Sequence, residues 1–462
     1  MISKEHFQRC ELFNLILISV GAISTFIIYL GCRHFKLQLL FAPILILILF
    51  FLINYKYRVK NKDGLLKYLL SGSIIFLTFH FSYTISTSYL RIPQWDYMAF
   101  YLYSVAGQSG GNFYDPDLFK ELFNSLKLRP LTTPVFMEEV VNVGFPYPPP
   151  AMIILFPLGW FDLKTGYFIW QSILIIFLIA SIYFLLDIFS IKNKIRHQKI
   201  LYTLILAHLI LLFPGITSSV SYAQTNPILL FFLLLSLKRM DHWDAGIYLT
   251  IMIMIKPLAG LFALYFLMER KWNVIAAAIA SGIVILIITG VMFDFNMFVQ
   301  FFTSPPTDRL PGFVYSEPVN KSLSAVLLRL HFNHLIFPDQ SAVKTLTLII
   351  SAILLVITVL LSWRLSNKSP HLSFLIFIPF ALIVYPASLA HYSLLLVPVI
   401  LAIFQKEYKN IGKPGFIGFL MSLYIIAFYH MFFLNIFLLL YYAYLSKNLK
   451  TKTHVIRNQF SM

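Results

Sequence analysis

Apolar residues in this chain come in long unbroken runs, and the polar residues are crowded into the gaps between them. Runs of spanning length or slightly less fall at 13–31, 37–54, 65–86, 167–189, 200–216, 226–238, 245–268, 273–292, 342–363, 372–388, 391–404, 414–430 and 430–446. A helix of about 20 apolar residues crosses a bilayer, so the pattern predicts an all-α polytopic membrane protein with about 11–14 membrane segments. Several runs carry breaks. The run 245–268 is interrupted at Lys256-Pro257 and reads as a hairpin, Pro214-Gly215 ends another, and Pro386 lies inside a third. The apolar stretch 150–161, just after Tyr147-Pro148-Pro149-Pro150, is too short to span and fits a re-entrant or interfacial helix. Irregular backbone at membrane depth is tolerated where it lines a cavity or is buried in protein.

Composition agrees: 59% of the residues are hydrophobic, only 12% are charged, and the mean hydropathy is +0.79. Soluble domains carry about 25% charged residues, so lipid must be the solvent for most of this surface. The first apolar run lacks a small-residue cleavage site and reads as a span rather than a cleaved signal. Cys10 and Cys32 flank that run, which keeps them apart if it spans, and no Cys/His spacing suggests a structural metal.

The net charge of +17 changes the picture through its distribution. With the amino terminus inside, 24 of the 36 basic residues fall on the inner side and 11 on the outer, with Lys256 in the membrane region. That is a topology signal, not a nucleic-acid footprint. It places residues 87–147 and 293–340, the two long hydrophilic segments, together on the outer face. Two such loops on one side predict one composite site. The inner loops are short and basic, with no room for a nucleotide-sugar domain. The reading is a protein of a bacterial cytoplasmic membrane with its site facing the periplasm or exterior.

Candidate chemistry gathers on that side. Asp96, in Trp95-Asp96-Tyr97, is a lone carboxylate close to an apolar run, where an acid is costly unless solvated or paired. It can accept the proton of an acceptor hydroxyl, or it can be a solvated helix cap with Tyr97 and Tyr101 as interfacial anchors. Tyr114-Asp115-Pro116 offers a second carboxylate for an acceptor sugar or a divalent ion, or a capped turn. Tyr147 could stack on a sugar, while the prolines after it stiffen the loop's return to the membrane. Gln224 and Asn226 carry amides suited to sugar hydroxyls, or form an ordinary capped turn. Lys256, an ammonium amid Met252-Ile253-Met254-Ile255, is matched to the anionic phosphate of a lipid-linked donor, with snorkelling as the competitor. Asn320 to Arg329 predicts a short amphipathic helix with Lys321 and Arg329 on its polar side, and His391-Tyr392 marks an outer boundary.

The ordered set Asp96 to Tyr101, Tyr114-Asp115, Tyr147-Pro148-Pro149, Gln224-x-Asn226, Ala245-Gly246 through Lys256-Pro257, Asn320-x-Ser322-Leu323 and His391-Tyr392 resembles the polyprenol-phosphate-mannose-dependent mannosyltransferases of glycosyltransferase family 87, over roughly residues 65 to 405. Ala223 departs from the family's usual glycine and Lys321 from its common glutamine. The two N-terminal spans and basic cytoplasmic loop at 1–64 depart from the family, and 406–462 reads as C-terminal spans and a basic cytoplasmic tail. The resemblance implies a GT-C fold with a catalytic membrane module at 65–405. It implies Asp96 as the general base, and Lys256, Gln224, Asn226, Tyr97, Tyr114, Asp115, Tyr147, Asn320, Arg329 and His391 as substrate contacts. The implied partners are a polyprenyl-phosphate-linked sugar donor, a glycan, glycolipid or protein acceptor, and the bilayer, with no nucleic acid. No cofactor is required, and a divalent metal is compatible with the sequence. The alternatives are a surface-polysaccharide polymerase or ligase, which shares the lipid donor, and a transporter or flippase, which would show internal pseudo-symmetry.

Overall fold

The computed structural model describes residues 95–128, 140–189, 214–303, 320–332, 340–407 and 431–448. Both cysteines, the runs at 13–31, 37–54, 65–86 and 414–430, and most of 200–216 lie outside the described residues. The rest is helical, as the hydrophobic pattern requires. In chain order the helices are α1 (Trp95–Gln108), α2 (Pro116–Ser125), α3 (Ala151–Leu155), α4 (Leu163–Ile188), α5 (Pro214–Ser221), α6 (Asn226–Lys238), α7 (Asp244–Ile255) and α8 (Ala263–Met268). They continue as α9 (Trp272–Phe293), α10 (Asn296–Thr303), α11 (Leu323–Phe332), α12 (Gln340–Ser366), α13 (Pro370–Leu375), α14 (Phe377–Val384), α15 (Val397–Glu407) and α16 (Met431–Asn448). Among the described residues there is no strand, only an antiparallel bridge between Asn320 and Leu389.

Three of these helices, α4, α9 and α12, are long and apolar enough to cross a membrane. Their outward faces are apolar: Ile176 and Ile179 on α4, Ile283 and Ile287 on α9, and Ile353 and Leu360 on α12 are all exposed. Such faces are stable only against hydrocarbon. Exposed Trp243, Trp272 and Trp363 stand at the end that also carries Lys238, Arg239, Lys271 and Arg364, while exposed Trp160 precedes α4. That is the aromatic and basic signature of membrane–water boundaries. The chain is an all-α membrane protein.

The remaining apolar helices are shorter. The hairpin expected over 245–268 is present: α7 stops at Ile255, Lys256 is extended (φ −146°, ψ 116°), and a 3₁₀ turn, Pro257–Phe262, with α8 returns the chain. The proline causes the break, because its ring drives the preceding residue out of the helical region. The return is pinned by Lys271 Nζ donating to Asp241 Oδ1 at 2.8 Å. Helix α7 packs closely against α9. A β-carbon at Gly246 would collide with Val274 O, and Thr250 Oγ1 lies 2.9 Å from Ala278 O. Both contacts pair residues four apart on each helix, so the two run parallel. Beyond Ile255, α9 continues for about ten residues, so the hairpin tip stops about 15 Å short of the end of α9.

Among the described residues Pro214 stands first in α5, a position that suits a residue without an N–H, and the expected end of the run 200–216 falls on residues outside those described. The helix expected from Asn320 begins at Leu323 instead, because Asn320 Oδ1 accepts from Ser322 N (3.1 Å) and Ser322 Oγ from Ala325 N (3.2 Å). Those side chains satisfy the donors of the first turn and hold Asn320 outside it.

Candidate active site

The short helices leave an interior polar floor. Helix α6 begins at Asn226 and α7 ends at Ile255, joined at their far ends by the Arg239–Trp243 turn, so Gln224 and Lys256 emerge side by side. Gln224 is aimed by a turn in which Ala223 takes φ +57°. That left-handed conformation is where glycine is at ease and a β-carbon is strained. Trp170 Nε1 on α4 holds the turn by donating to Ala223 O at 2.8 Å, and Gln171 Nε2 donates to Val220 O at 2.9 Å.

Lys256 is 1% exposed. Its Nζ donates to Gln224 Oε1 at 3.2 Å and stands 3.8 Å from the centre of the Tyr392 ring. A buried ammonium facing a π cloud and a neutral amide is held, but its charge is not cancelled. Asp96, on the first turn of α1, completes the group. Gln224 hydrogen-bonds the Asp96 carboxylate, so one amide bridges the acid and the base, and the Lys256 charge acts on Asp96 without a direct ion pair. Asp96 lies outside the three helices long and apolar enough to cross a membrane. Burial raises its pKa from the ordinary 3.8 to about 6, opposed by the Gln224 hydrogen bond and by Lys256. A carboxyl in that range can exchange protons near neutral pH.

Around these three stand Tyr147, Tyr385 and Tyr392, close enough for their hydroxyls to feel Asp96 or one another. His391 is buried against Tyr392, its ring centroid 4.8 Å away, within the field of Lys256, and its Nε2 has no partner. Ser219 fixes the backbone here: its Oγ lies 3.2 Å from His391 O and accepts from Asn226 Nδ2 at 3.2 Å. Asn226 is fully buried, and its Oδ1 is left without a partner. A buried, unpaired acceptor is costly and marks a position where a ligand group or water is satisfied. A narrow apolar crevice adjoins the floor, lined by Phe100, Tyr147, Ile154, Leu155, Thr225 and Ile255.

Of the residues expected from sequence, Asp96, Gln224, Asn226, Lys256, Tyr147 and His391 therefore come together. The others sit elsewhere. Asp115 is exposed and caps α2, accepting from Asp117 N at 2.9 Å, so the turn role accounts for it. Tyr114 Oη donates to Tyr147 O at 2.8 Å and braces the loop that carries Tyr147. Tyr97 points to the other side of α1, where it packs edge-on to Tyr167 at 5.0 Å. Asn320 Nδ2 donates to Pro386 O at 2.8 Å and ties the start of α11 to the bend after α14, while Arg329 Nη1 donates to Asn320 O at 3.0 Å within its own segment. Tyr385 and the Tyr392 ring were not singled out from sequence. Their aromatic character is visible, but nothing local pairs Tyr392 with a lysine so distant in the chain. Among the described residues no group of three His, Cys, Asp or Glu side chains is placed to hold a metal ion.

No curated protein and no solved structure matches the chain. The profile of glycosyltransferase family 87 matches residues 145–386, a segment that contains Tyr147, Gln224, Asn226, Lys256 and Asn320 and begins after Asp96. With more than half of the chain covered, and with an acid–amide–ammonium group inside an all-α membrane fold, the protein belongs to glycosyltransferase family 87 and is a membrane glycosyltransferase.

Proposed function

We propose that the protein transfers a sugar, mannose, from a polyprenyl-phosphate donor to an acceptor hydroxyl on the outer face of a bacterial cytoplasmic membrane, on a GT-C-type fold and with inversion at the anomeric carbon. The observation that carries this reading is the pairing of Asp96 and Lys256 across Gln224. An ammonium has three N–H donors. In Lys256 one goes to Gln224, which leaves others to meet a donor phosphate in a water-poor site. Such a contact stabilises the leaving phosphate as it gains charge.

Asp96 removes the proton of the acceptor hydroxyl, and the oxygen attacks the anomeric carbon from the side opposite the phosphate. The new glycosidic bond forms as the sugar–phosphate bond breaks, and the bonding electrons leave with the phosphate held by Lys256. The attack geometry gives inversion. Asn226 Oδ1 and His391 Nε2, both buried and unpaired, supply hydrogen bonds to sugar or phosphate. The apolar crevice beside Thr225 and Ile255 suits the first isoprene units of the lipid. The basic clusters favour the orientation with the Asp96 end outward.

The test is reconstitution. Proteoliposomes of the wild-type protein should consume polyprenyl-phosphate mannose only when an acceptor is supplied, and the product anomer should be opposite to that of the donor. A nucleotide sugar used as well as the lipid-linked one would refute the donor, and a retained anomeric configuration would refute direct displacement. Cysteines placed by Lys120→Cys and Lys452→Cys report orientation: a membrane-impermeant reagent should label the first alone in intact cells.

A further inference from the structure

The site above does not use a second cavity where the two outer segments meet. A cleft of about 690 Å³ lies between the end of α1 and the junction of α9 with α10. Its polar lining includes Asn112, Asp294, Asn296 and Gln300, and Phe113 and Val299 provide apolar surface. The two sides are locked together by Phe113 against Phe293, edge-on at 5.8 Å, and by Tyr114 against Phe301 at 6.0 Å.

The shape of this cleft is fixed by local hydrogen bonds that leave its amides available. Asn112 Oδ1 accepts from Tyr114 N at 2.9 Å, so the NH₂ of that amide is left for the cleft. Asp294, itself at φ +79°, accepts from Asn296 N and from Asn296 Nδ2, both at 3.1 Å, which leaves Asn296 Oδ1 as an acceptor. Gly110, at φ +69°, would carry a β-carbon into open space, so backbone is presented there without a side chain to shield it. Three neutral amides that both donate and accept, one carboxylate, no lining cation and an apolar wall suit a neutral polyhydroxylated ligand. A phosphate would meet Asp294 unopposed, and a divalent cation would find one carboxylate.

We infer that this cleft is a saccharide subsite that holds the distal sugars of an oligosaccharide acceptor. The distance decides which part of the acceptor is held. Gly107, at the near edge of the cleft, lies eleven residues along α1 from Asp96, about 17 Å at the helical rise. A hydroxyl bound in the cleft cannot be the one that Asp96 deprotonates, so the ligand must be long enough to occupy both places. The cleft and the active site share a wall: Phe113 lines the cleft, the next residue, Tyr114, donates to Tyr147 O, and Tyr147 faces Asp96. The inference rests on the transferase reading for its role in catalysis, and the binding itself is testable without it.

The experiment uses saturation-transfer NMR on the full-length protein in nanodiscs, with mannotriose, maltotriose and cellotriose as probes. At least one trisaccharide should receive saturation from the wild type and equally from Asp96→Asn. The signal should disappear in Val299→Trp, which fills the cleft from an exposed position, and should weaken in Asn296→Ala/Gln300→Ala. Transfer assays then add the role. Val299→Trp should raise KM for the trisaccharide acceptor on the order of tenfold, as expected for one or two lost hydrogen bonds, and leave KM for the matching monosaccharide unchanged. If no trisaccharide binds, or if Val299→Trp binds like the wild type, the subsite is refuted. Equal KM changes for short and long acceptors would refute its role in acceptor length. Trisaccharide binding that Val299→Trp abolishes, in a protein that transfers nothing from a polyprenyl-phosphate sugar, would uphold the subsite and refute the donor reading instead.

Discussion

Helices α4, α9 and α12 run 26, 22 and 27 residues, whereas α6 and α7 stop after 13 and 12. The long helices are nearly all hydrocarbon on their outer faces, and several of their hydroxyls fold back onto their own backbone, as Ser181 Oγ does on Phe177 O and Thr289 Oγ1 on Ile285 O. The short helices bury their sides, and their ends expose Asn226, Gln224 and Lys256 to an interior floor about 15 Å in from the tip of α9. Long helices make the frame, and interrupted ones place the candidate site. An ionisable group at that depth is tolerated because it is enclosed by protein, with Tyr392 and Gln224 replacing water around Lys256.

The contrast can be broken most forcefully at the interrupted end. Asp96→Asn keeps the size of the side chain and an acceptor oxygen but loses basicity, so turnover should fall by about 10²- to 10⁴-fold while the protein inserts normally. In the wild type, kcat/KM should decline as pH falls through about 6, because the base must be ionised and burial holds Asp96 near that value. That acid limb should vanish from the residual activity of the variant. A profile flat down to pH 4 would take the base elsewhere. Lys256→Ala should weaken donor binding by about 2–5 kcal/mol, read as an increased Kd for the polyprenyl-phosphate sugar, with partial recovery in Lys256→Arg.

The frame is sharpened by smaller effects. Gly246→Leu forces a side chain into Val274 O and Ala278 N, so α7 must move off α9. Overpacking of this kind costs about 1–3 kcal/mol, and the melting temperature in detergent should drop accordingly. An unchanged melting temperature would show that the close approach is not needed. The smallest effect is expected at Ala223→Gly. It relieves a left-handed alanine and should be neutral or stabilising by up to about 1 kcal/mol, with activity retained. Loss of stability there would mean that the β-carbon contributes packing that outweighs its strain.

Much of this contrast was legible in the sequence. Lys256-Pro257 announced both the break and the charge, since a lysine in an apolar run and a proline after it each demand an explanation. Gln224, Asn226 and Asp96 were visible as polar residues beside spans. The substitution of alanine for the usual family glycine at 223 becomes intelligible only with φ +57° in view. Other features depend on tertiary contacts with no local signature. The Tyr392 ring reaches Lys256 only because Ser219 and Gly215 seat α5 against the turn that carries His391. Asp115 read as a second carboxylate or a capped turn, and the turn that Pro116 announces is the one present, a helix cap at the surface. The saccharide cleft joins segments far apart in the chain, and none of its residues is unusual alone.

The division of labour across Gln224 is tested most directly by titrating polyprenyl-phosphate mannose into three purified proteins in nanodiscs: wild type, Asp96→Asn and Lys256→Ala. Asp96→Asn should bind the donor as the wild type does although it transfers sugar about 10²- to 10⁴-fold more slowly, and Lys256→Ala should bind it far more weakly. Equal donor affinity in the wild type and Lys256→Ala, or a loss confined to Asp96→Asn, would contradict the assignment of phosphate to the lysine and of proton transfer to the acid.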